Sequence, residues 1–205
     1  NFIEYYRMVQ QQKDRYVAKN TEQFSAQWLY KKYTQIGERR IGRYIIDNTG
    51  MPDEVYDHDL LGNMVVKVDL EEGQHVREAT LNGKPVAAYY EQAGYGFIYL
   101  PPLEQDKYEL DYELGNRTTM PHVFLEGTYN VYDFQTGKNS TQVRVRVYGE
   151  QKMEIRHVRK PSRIVSSNNQ LAVTRYEYDK EKETATLWLK AHDIQGETGN
   201  ITLEY

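Results

Sequence analysis

From about residue 43 to the end of the chain, apolar and polar side chains alternate with a period of two. In residues 108–114, YELDYEL, the Tyr and Leu side chains face one way, whereas Glu109, Asp111 and Glu113 face the other. Runs of this kind recur about every 8 to 12 residues, the spacing typical of antiparallel sandwiches. Gly, Pro, Asn and Asp separate them. This pattern predicts a mainly β protein.

The pattern of strands occurs twice. The segment GFIYLPP at 96–102 can be laid on ATLWLKA at 185–191, although few residues are identical. We therefore predict two tandem immunoglobulin-like β-sandwich modules, residues 41–118 and 119–205. The stretch TLNGKPV at 80–86 predicts a hairpin turn inside the first module, with Asn-Gly as its central pair.

The first forty residues have a helical spacing instead. Apolar side chains in FIEYYRMVQQ lie at Phe2, Ile3, Tyr6 and Val9. Asn20 and Thr21 offer N-caps before EQFSAQWLYKKY, in which Phe24, Trp28 and Leu29 are expected on one helical face. We expect Trp28 to be a core anchor. Residues 1–40 are thus predicted to be a helical segment, either a connector or the end of an upstream domain.

Composition excludes several kinds of partner. With 26 basic and 30 acidic residues, the chain lacks the basic footprint of a nucleic-acid binder. No stretch approaches the roughly 20 apolar residues of a membrane-spanning helix. Cysteine is absent, so neither a disulfide nor a thiolate metal site can form.

No complete catalytic or metal-binding motif occurs. The chain has no glycine-rich phosphate loop, no G-x-S-x-G and no H-E-x-x-H. Asp57, His58 and Asp59 are the best metal-like cluster, but a polar turn explains them better, since calcium needs six to eight oxygens. The His-Asp pair at 192–193 is an even weaker candidate for a metal site. The acidic row at 109–113 is interpreted as a solvated strand face and not as a glycosidase pair. We predict no catalytic residue, no metal site and no cofactor.

Aromatic side chains are the best candidates for binding. In TATLWLKA the alternation predicts that Leu187 and Leu189 face the core and that Trp188 points outward. In GFIYLPP the same reasoning turns Phe97 and Tyr99 outward. An outward aromatic ring suits contact with another domain, stacking on a sugar ring, or local cover by a loop.

The segment at 14–36, DRYVAKNTEQFSAQWLYKKYTQI, resembles the closing segment of polysaccharide deacetylase catalytic barrels. The matching residues are Tyr16, Val17 and Ala18 of a short strand, then Glu22, Phe24 and Trp28 of a helix. The resemblance implies the C-terminal part of a larger carbohydrate-active enzyme, in which β-sandwich modules often follow the barrel. The family's Asp-Asp pair and H-[ST]-x-x-H metal site are absent, so no catalytic role can be carried over.

The leading hypothesis is a non-catalytic accessory region of an extracellular polysaccharide-active enzyme, located outside the cell, at its surface or in the periplasm. It would contact a polysaccharide or an adjacent catalytic domain, with Trp188, Tyr99 and Tyr95 as contacts. An alternative is a structural or adhesive surface protein that binds another protein by strand addition. A third hypothesis is a self-contained hydrolase built from scattered acids.

Overall fold

The protein is mainly β: strands account for 58% of the residues and helices for 9%. The structure, a computed structural model, describes residues 21–57, 61–116, 120–127, 129–193 and 195–205. The helical pattern predicted at residues 2–9 lies outside the described residues, as do His58 and Asp59.

Two helices and sixteen strands follow one another in the described part of the chain. The helices are α1 (Thr21–Tyr33) and α2 (Asp53–Asp57). The strands of the N-terminal half are β1 (Gln35–Arg40), β2 (Arg43–Asp47), β3 (Met64–Asp69), β4 (His75–Leu81), β5 (Lys84–Val86), β6 (Ala88–Gln92), β7 (Tyr95–Leu100) and β8 (Lys107–Gly115). Those of the C-terminal half are β9 (His122–Phe124), β10 (Tyr129–Thr136), β11 (Ser140–Val147), β12 (Glu150–Arg156), β13 (Arg163–Ser166), β14 (Leu171–Asp179), β15 (Thr184–Ala191) and β16 (Glu197–Glu204).

The strands form three sheets, one of which runs through both halves. A five-stranded sheet has the order β1-β2-β8-β4-β5, and a four-stranded sheet has the order β10-β11-β16-β13. The central sheet has seven strands in the order β14-β15-β12-β9-β6-β7-β3. The halves meet where β6 and β9 pair in parallel, with Ala88 opposite Val123 and Tyr89 opposite Phe124. The two predicted modules therefore share a continuous sheet.

Two hydrophobic cores lie on opposite faces of the central sheet. Strand β7 shows this directly, because Phe97 and Tyr99 belong to the core beneath the four-stranded sheet. Ile98 and Leu100 belong to the core beneath the five-stranded sheet. Successive strand residues point to opposite faces, so β7 is covered on both sides. All five residues from Gly96 to Leu100 are buried.

Helix α1 buries a face different from the one predicted. Ala26, Leu29 and Tyr30 are buried, whereas Trp28 is 50% exposed and Phe24 is 64% exposed. Residues four apart lie above one another on a helix, so Phe24 and Trp28 form one stripe and Ala26 and Tyr30 form another on the far side. The predicted role of Trp28 as a core anchor is wrong.

Two further local predictions can be compared with the structure. Asn82 and Gly83 connect β4 to β5 and have φ angles of 51° and 73°. Positive φ at both central residues defines the type I′ hairpin turn that Asn-Gly favours, which confirms the predicted turn. Strand structure begins at Gln35 and not near residue 43, because β1 pairs with β2 although its sequence, QIGERR, lacks an apolar alternation.

Candidate functional site

A cleft with a volume of about 710 Å³ lies where the two halves meet. Its walls come from β5, from the segment after β7 and from β10. Aromatic and proline rings make up much of the lining, namely Tyr99, Tyr108, Tyr132, Pro85, Pro101 and Pro102. Polar side chains interleave with them, namely Asn82, Lys84, Glu104, Asp133 and Gln135.

A β-bulge in β10 aims side chains into this cleft. The pairing of β10 with β11 shifts register between Val131 and Asp133, which leaves Tyr132 as the extra residue. Val131 and Phe134 stay buried in the core, while Tyr132 is half-buried and Asp133 is exposed. Bulges redirect side chains at sheet edges in this way, and here two consecutive residues both face away from the core.

The segment after β7, which forms another wall, is anchored from beneath. The Tyr30 hydroxyl of α1 accepts a 2.9 Å hydrogen bond from the Leu103 amide and donates one of 3.1 Å to the Gly62 carbonyl. The fully buried Asn48 donates its Nδ2 to the Glu104 carbonyl at 2.9 Å. The Glu104 amide in turn donates to the Tyr108 hydroxyl at 2.9 Å. Helix α1 and Asn48 thus fix the wall that carries Glu104.

Asn63 joins the two halves by bonding to Val131, which lines the cleft. Its side chain is bonded on both sides to Val131 of β10: the Val131 amide donates to Oδ1 at 3.0 Å, and Nδ2 donates to the Val131 carbonyl at 2.7 Å. The same Nδ2 also donates to the Leu100 carbonyl at 2.7 Å. Asn63 is 6% exposed. Its side-chain amide satisfies the buried backbone N–H and C=O of Val131, which a neighbouring strand would otherwise satisfy.

Tyr99 does not point outward as predicted. It is 7% exposed and lies in the core beneath the four-stranded sheet, and its neighbour Phe97 is 2% exposed. The C-terminal half covers this face of β7, and Tyr99 lines the cleft there beside Val131 and Phe134. The predicted outward position of both rings is therefore wrong. Tyr99 instead contacts the other half of the chain, which is the first of the three environments considered for such a ring.

Trp188 lies on the opposite face of the central sheet. Leu187 and Leu189 point into the same core as Tyr99, and Trp188 is half-buried on the other side of β15. Its cross-strand neighbours are Lys152 and Arg175, and the Arg175 guanidinium lies 4.5 Å from the ring centroid. One face of the indole is thus in contact with a cation.

Tyr95 is half-buried, with the Lys67 ammonium 3.7 Å from its ring centroid. It shares a strand face with Tyr99 but does not line the cleft. The structure therefore places the three predicted contact residues at three separate positions. The cleft residues Tyr108 and Tyr132 were not predicted. Two sequence features could have pointed to this region: the Pro-Pro pair after β7, and the segment YNVYDF of β10, in which apolar and polar residues do not alternate regularly.

Of the candidate metal and acid positions, Asp57, the pair at 192–193 and the acidic row of β8 lie in the described part of the chain. Among the described residues, no three His, Cys, Asp or Glu side chains are grouped closely enough to hold a metal ion. Within the acidic row of β8, Asp111 accepts two hydrogen bonds from Arg43, and Glu109 lies 3.1 Å from the same guanidinium. These carboxylates form an ion-pair network on the outer face of the five-stranded sheet.

The junction of the halves also buries a histidine. His122 of β9 is 6% exposed, and its ring centroid lies 5.4 Å from those of Tyr89 and His157. The pKa of His122 is lowered from 6.5 to about 4, chiefly because burial would strip the charged form of its hydration. His157 and Arg156 contribute in the same direction, and the hydrogen bond to the Met120 carbonyl opposes them. His122 is therefore neutral at pH 7.

The chain shows no significant match to protein family models, to curated proteins or to solved structures. Neither helix of the described residues combines the length and the hydrophobicity required to cross a bilayer.

Proposed function

We propose that the chain is a non-catalytic, saccharide-contacting accessory region of an extracellular polysaccharide-active enzyme, and that the cleft between its halves is the binding site. In this proposal each half is an immunoglobulin-like sandwich, the two sharing their central sheet. An adjacent catalytic domain would carry out the chemistry, and this region would hold the polysaccharide.

The lining of the cleft is the observation that carries the proposal. A pyranose ring has apolar C–H faces and a rim of hydroxyl groups, so it needs flat apolar surfaces and planar hydrogen-bonding groups side by side. Tyr108 and Tyr132 supply half-buried rings with hydroxyl groups at their ends. Asp133, Glu104 and Gln135 supply carboxylate and amide oxygens that can accept hydroxyl protons.

The backbone of β5 also favours a saccharide over a peptide strand in this cleft. In a two-residue hairpin the residues beside the turn, Leu81 and Lys84, exchange hydrogen bonds, so the backbone of the next residue, Pro85, points to the open edge. Proline has no N–H and therefore cannot donate to an added strand. Its carbonyl can still accept a hydrogen bond from a hydroxyl group.

The resemblance of residues 14–36 to the end of deacetylase barrels supports the enzyme context. Residues 14–20 of that match lie outside the described residues, and the remainder includes α1. In the proposed arrangement α1 links an upstream domain to the cleft, because Tyr30 bonds the Leu103 amide of the cleft wall.

Calorimetric titration of the chain with neutral hexasaccharides of glucose, mannose and N-acetylglucosamine tests the proposal. We expect at least one to bind, and Tyr132→Ala to weaken that binding at least about tenfold, or about 1.4 kcal/mol. Tyr132→Phe keeps the ring and should retain most of the affinity. Trp188→Ala is the matched control, since it removes a half-buried aromatic ring on the other face of the sheet.

Two results would contradict the proposal. If none of the hexasaccharides binds, the chain does not recognise these saccharides. Binding that is lost in Trp188→Ala and kept in Tyr132→Ala would place the contact on the outer face of β15 and not in the cleft.

A further inference from the structure

Strand β1 is exposed along its whole length. All six residues from Gln35 to Arg40 are exposed, although β1 is paired with β2. It forms the edge of the five-stranded sheet, and its other side has no neighbouring strand in the described residues. A strand edge of this kind offers unpaired backbone N–H and C=O groups to another chain.

The backbone groups on the open edge can be assigned from the pairing. The Tyr112 amide donates to the Gly42 carbonyl at 2.8 Å, so Gly42 and alternate residues after it direct their backbone toward β8. The residues between these in β2 direct their backbone groups toward β1. Ile45 is one of them, and it is opposite Gly37. By the same alternation, Ile36 and Glu38 direct their backbone groups to the open edge.

Apolar side chains accompany these groups. Ile36 is 49% exposed and Ile41, in the turn after β1, is 95% exposed. Ile36 is opposite the fully buried Ile46, and residues opposite each other share a face of the sheet. Ile36 thus extends the core face of the sheet beyond β2, and a strand added to β1 would bury it.

The charges on this edge are two arginines and one glutamate, Glu38, so the edge is basic in balance. Arg39 and Arg40 are exposed and have no ion pair among the described residues. The nearby Arg43 differs, since Asp111 and Glu109 already neutralise it. The chain as a whole carries a net charge of -4, so the pair of free arginines contrasts with the rest of the protein.

We propose that the open edge of β1 binds an extended acidic segment of a partner protein by strand addition. Backbone hydrogen bonds to Ile36 and Glu38 hold the segment, an apolar partner side chain covers Ile36, and partner carboxylates pair with Arg39 and Arg40. This surface belongs to the five-stranded sheet and works independently of the cleft.

Two other occupants fit the edge less well. A second copy paired antiparallel through these outward groups would place Ile36 opposite Glu38 and Arg39 opposite Gln35, so it would bring no carboxylate directly opposite the arginine. An anionic membrane surface gains only about 1 kcal/mol per basic residue, or about 2 kcal/mol for two arginines, too little for stable binding.

The test uses a capped octapeptide of alternating Asp and Val, with a Lys-Val octapeptide as its charge control, titrated into the full chain by NMR. We expect the Asp-Val peptide to bind, to shift and protect the amides of Ile36 and Glu38, and to bind at least tenfold more weakly to the Arg39→Glu/Arg40→Glu variant. Arg175→Glu, on the edge strand β14 of the central sheet, should leave the affinity unchanged.

A pair of substitutions at one position separates strand addition from simple charge attraction. Glu38→Ala keeps the backbone N–H and removes a negative charge, so it should keep or raise the affinity. Glu38→Pro removes the same charge together with the outward N–H and should lose binding. Equal affinity of these two variants, equal binding of the Lys-Val peptide, or shifts away from β1 would overturn the proposal.

The alternative occupants have their own readouts. Concentration-dependent dimers that Arg39→Glu/Arg40→Glu abolishes would identify a second copy as the occupant. Binding to phosphatidylserine vesicles that is lost in the same variant, with no binding of the Asp-Val peptide, would identify a membrane surface. Either result overturns the proposal.

Discussion

Replacement of Asn63 by alanine tests how strongly the two halves depend on each other. The change removes three hydrogen bonds, two to Val131 and one to the Leu100 carbonyl, at a position where the side chain is 6% exposed. The main-chain carbonyl of Asn63, which accepts from Gln27, is unaffected. Each bond is worth about 1 kcal/mol, and buried groups left without a partner cost more, so we expect a loss of about 3–5 kcal/mol of unfolding free energy.

Urea unfolding followed by far-UV circular dichroism measures this loss. Asn139→Ala is the control, because Asn139 is exposed in the turn before β11 and its side chain should contribute less than about 0.5 kcal/mol. A loss below about 1 kcal/mol in Asn63→Ala would refute the reasoning, since it would mean that water or another group replaces all three bonds.

Three further changes have expected outcomes in the same assay. Because burial lowers the pKa of His122 from 6.5 to about 4, stability should be complete above pH 6.5 and fall toward pH 4. The loss should reach at most about 3 kcal/mol, and His122→Phe should flatten this pH dependence in unfolding series at several pH values. Leu29→Ala, at a site 8% exposed, should cost about 2–4 kcal/mol. Trp28→Ser should cost less than about 1 kcal/mol, and equal losses at both sites would contradict the assigned buried face of α1. Gly96→Ala places a Cβ 2.8 Å from Cγ2 of Val76. Gly96→Ala should lower the free energy of unfolding by about 1–3 kcal/mol. An unchanged urea midpoint would contradict this, because it would mean that the Val76 side chain moves aside without cost.

Strand alternation predicted the mainly β fold and, for many strands, which side chains face a core. In β8, Leu110 is fully buried and Glu113 is exposed, as the pattern YELDYEL indicates. In β15, Leu187 and Leu189 are buried. These strands have one face on a core and the other on solvent, so a period of two is sufficient to orient them.

The same rule failed for β7 because both of its faces are covered. Its sequence, YGFIYL, is apolar at nearly every position, which is typical of strands buried on both sides. The prediction that Tyr99 points outward assumed that one face of β7 is in contact with solvent. The covering strand, β10, begins only at Tyr129, whereas β7 ends at Leu100, and no local pattern indicates that β10 packs there.

The cleft depends on nonlocal contacts that sequence patterns do not encode. The parallel pairing of β6 with β9 joins the halves over two residue pairs, and Asn63 then links Val131 to Leu100. Neither the pairing nor the buried asparagine has a sequence signature, since each is defined only by its partner. Tyr132 likewise faces the cleft because of a bulge, which breaks the period on which the prediction relies.

The central claim is that a saccharide binds between the halves, and an NMR titration of the isotopically labelled chain with the tightest-binding hexasaccharide tests it most directly. Amide shifts should concentrate in Lys84 and residues 86–88 of the β5–β6 wall and in residues 131–135 of β10, with little change around Trp188. Shifts confined to Lys152, Arg175 and Trp188, or no shifts at saturating saccharide, would contradict it.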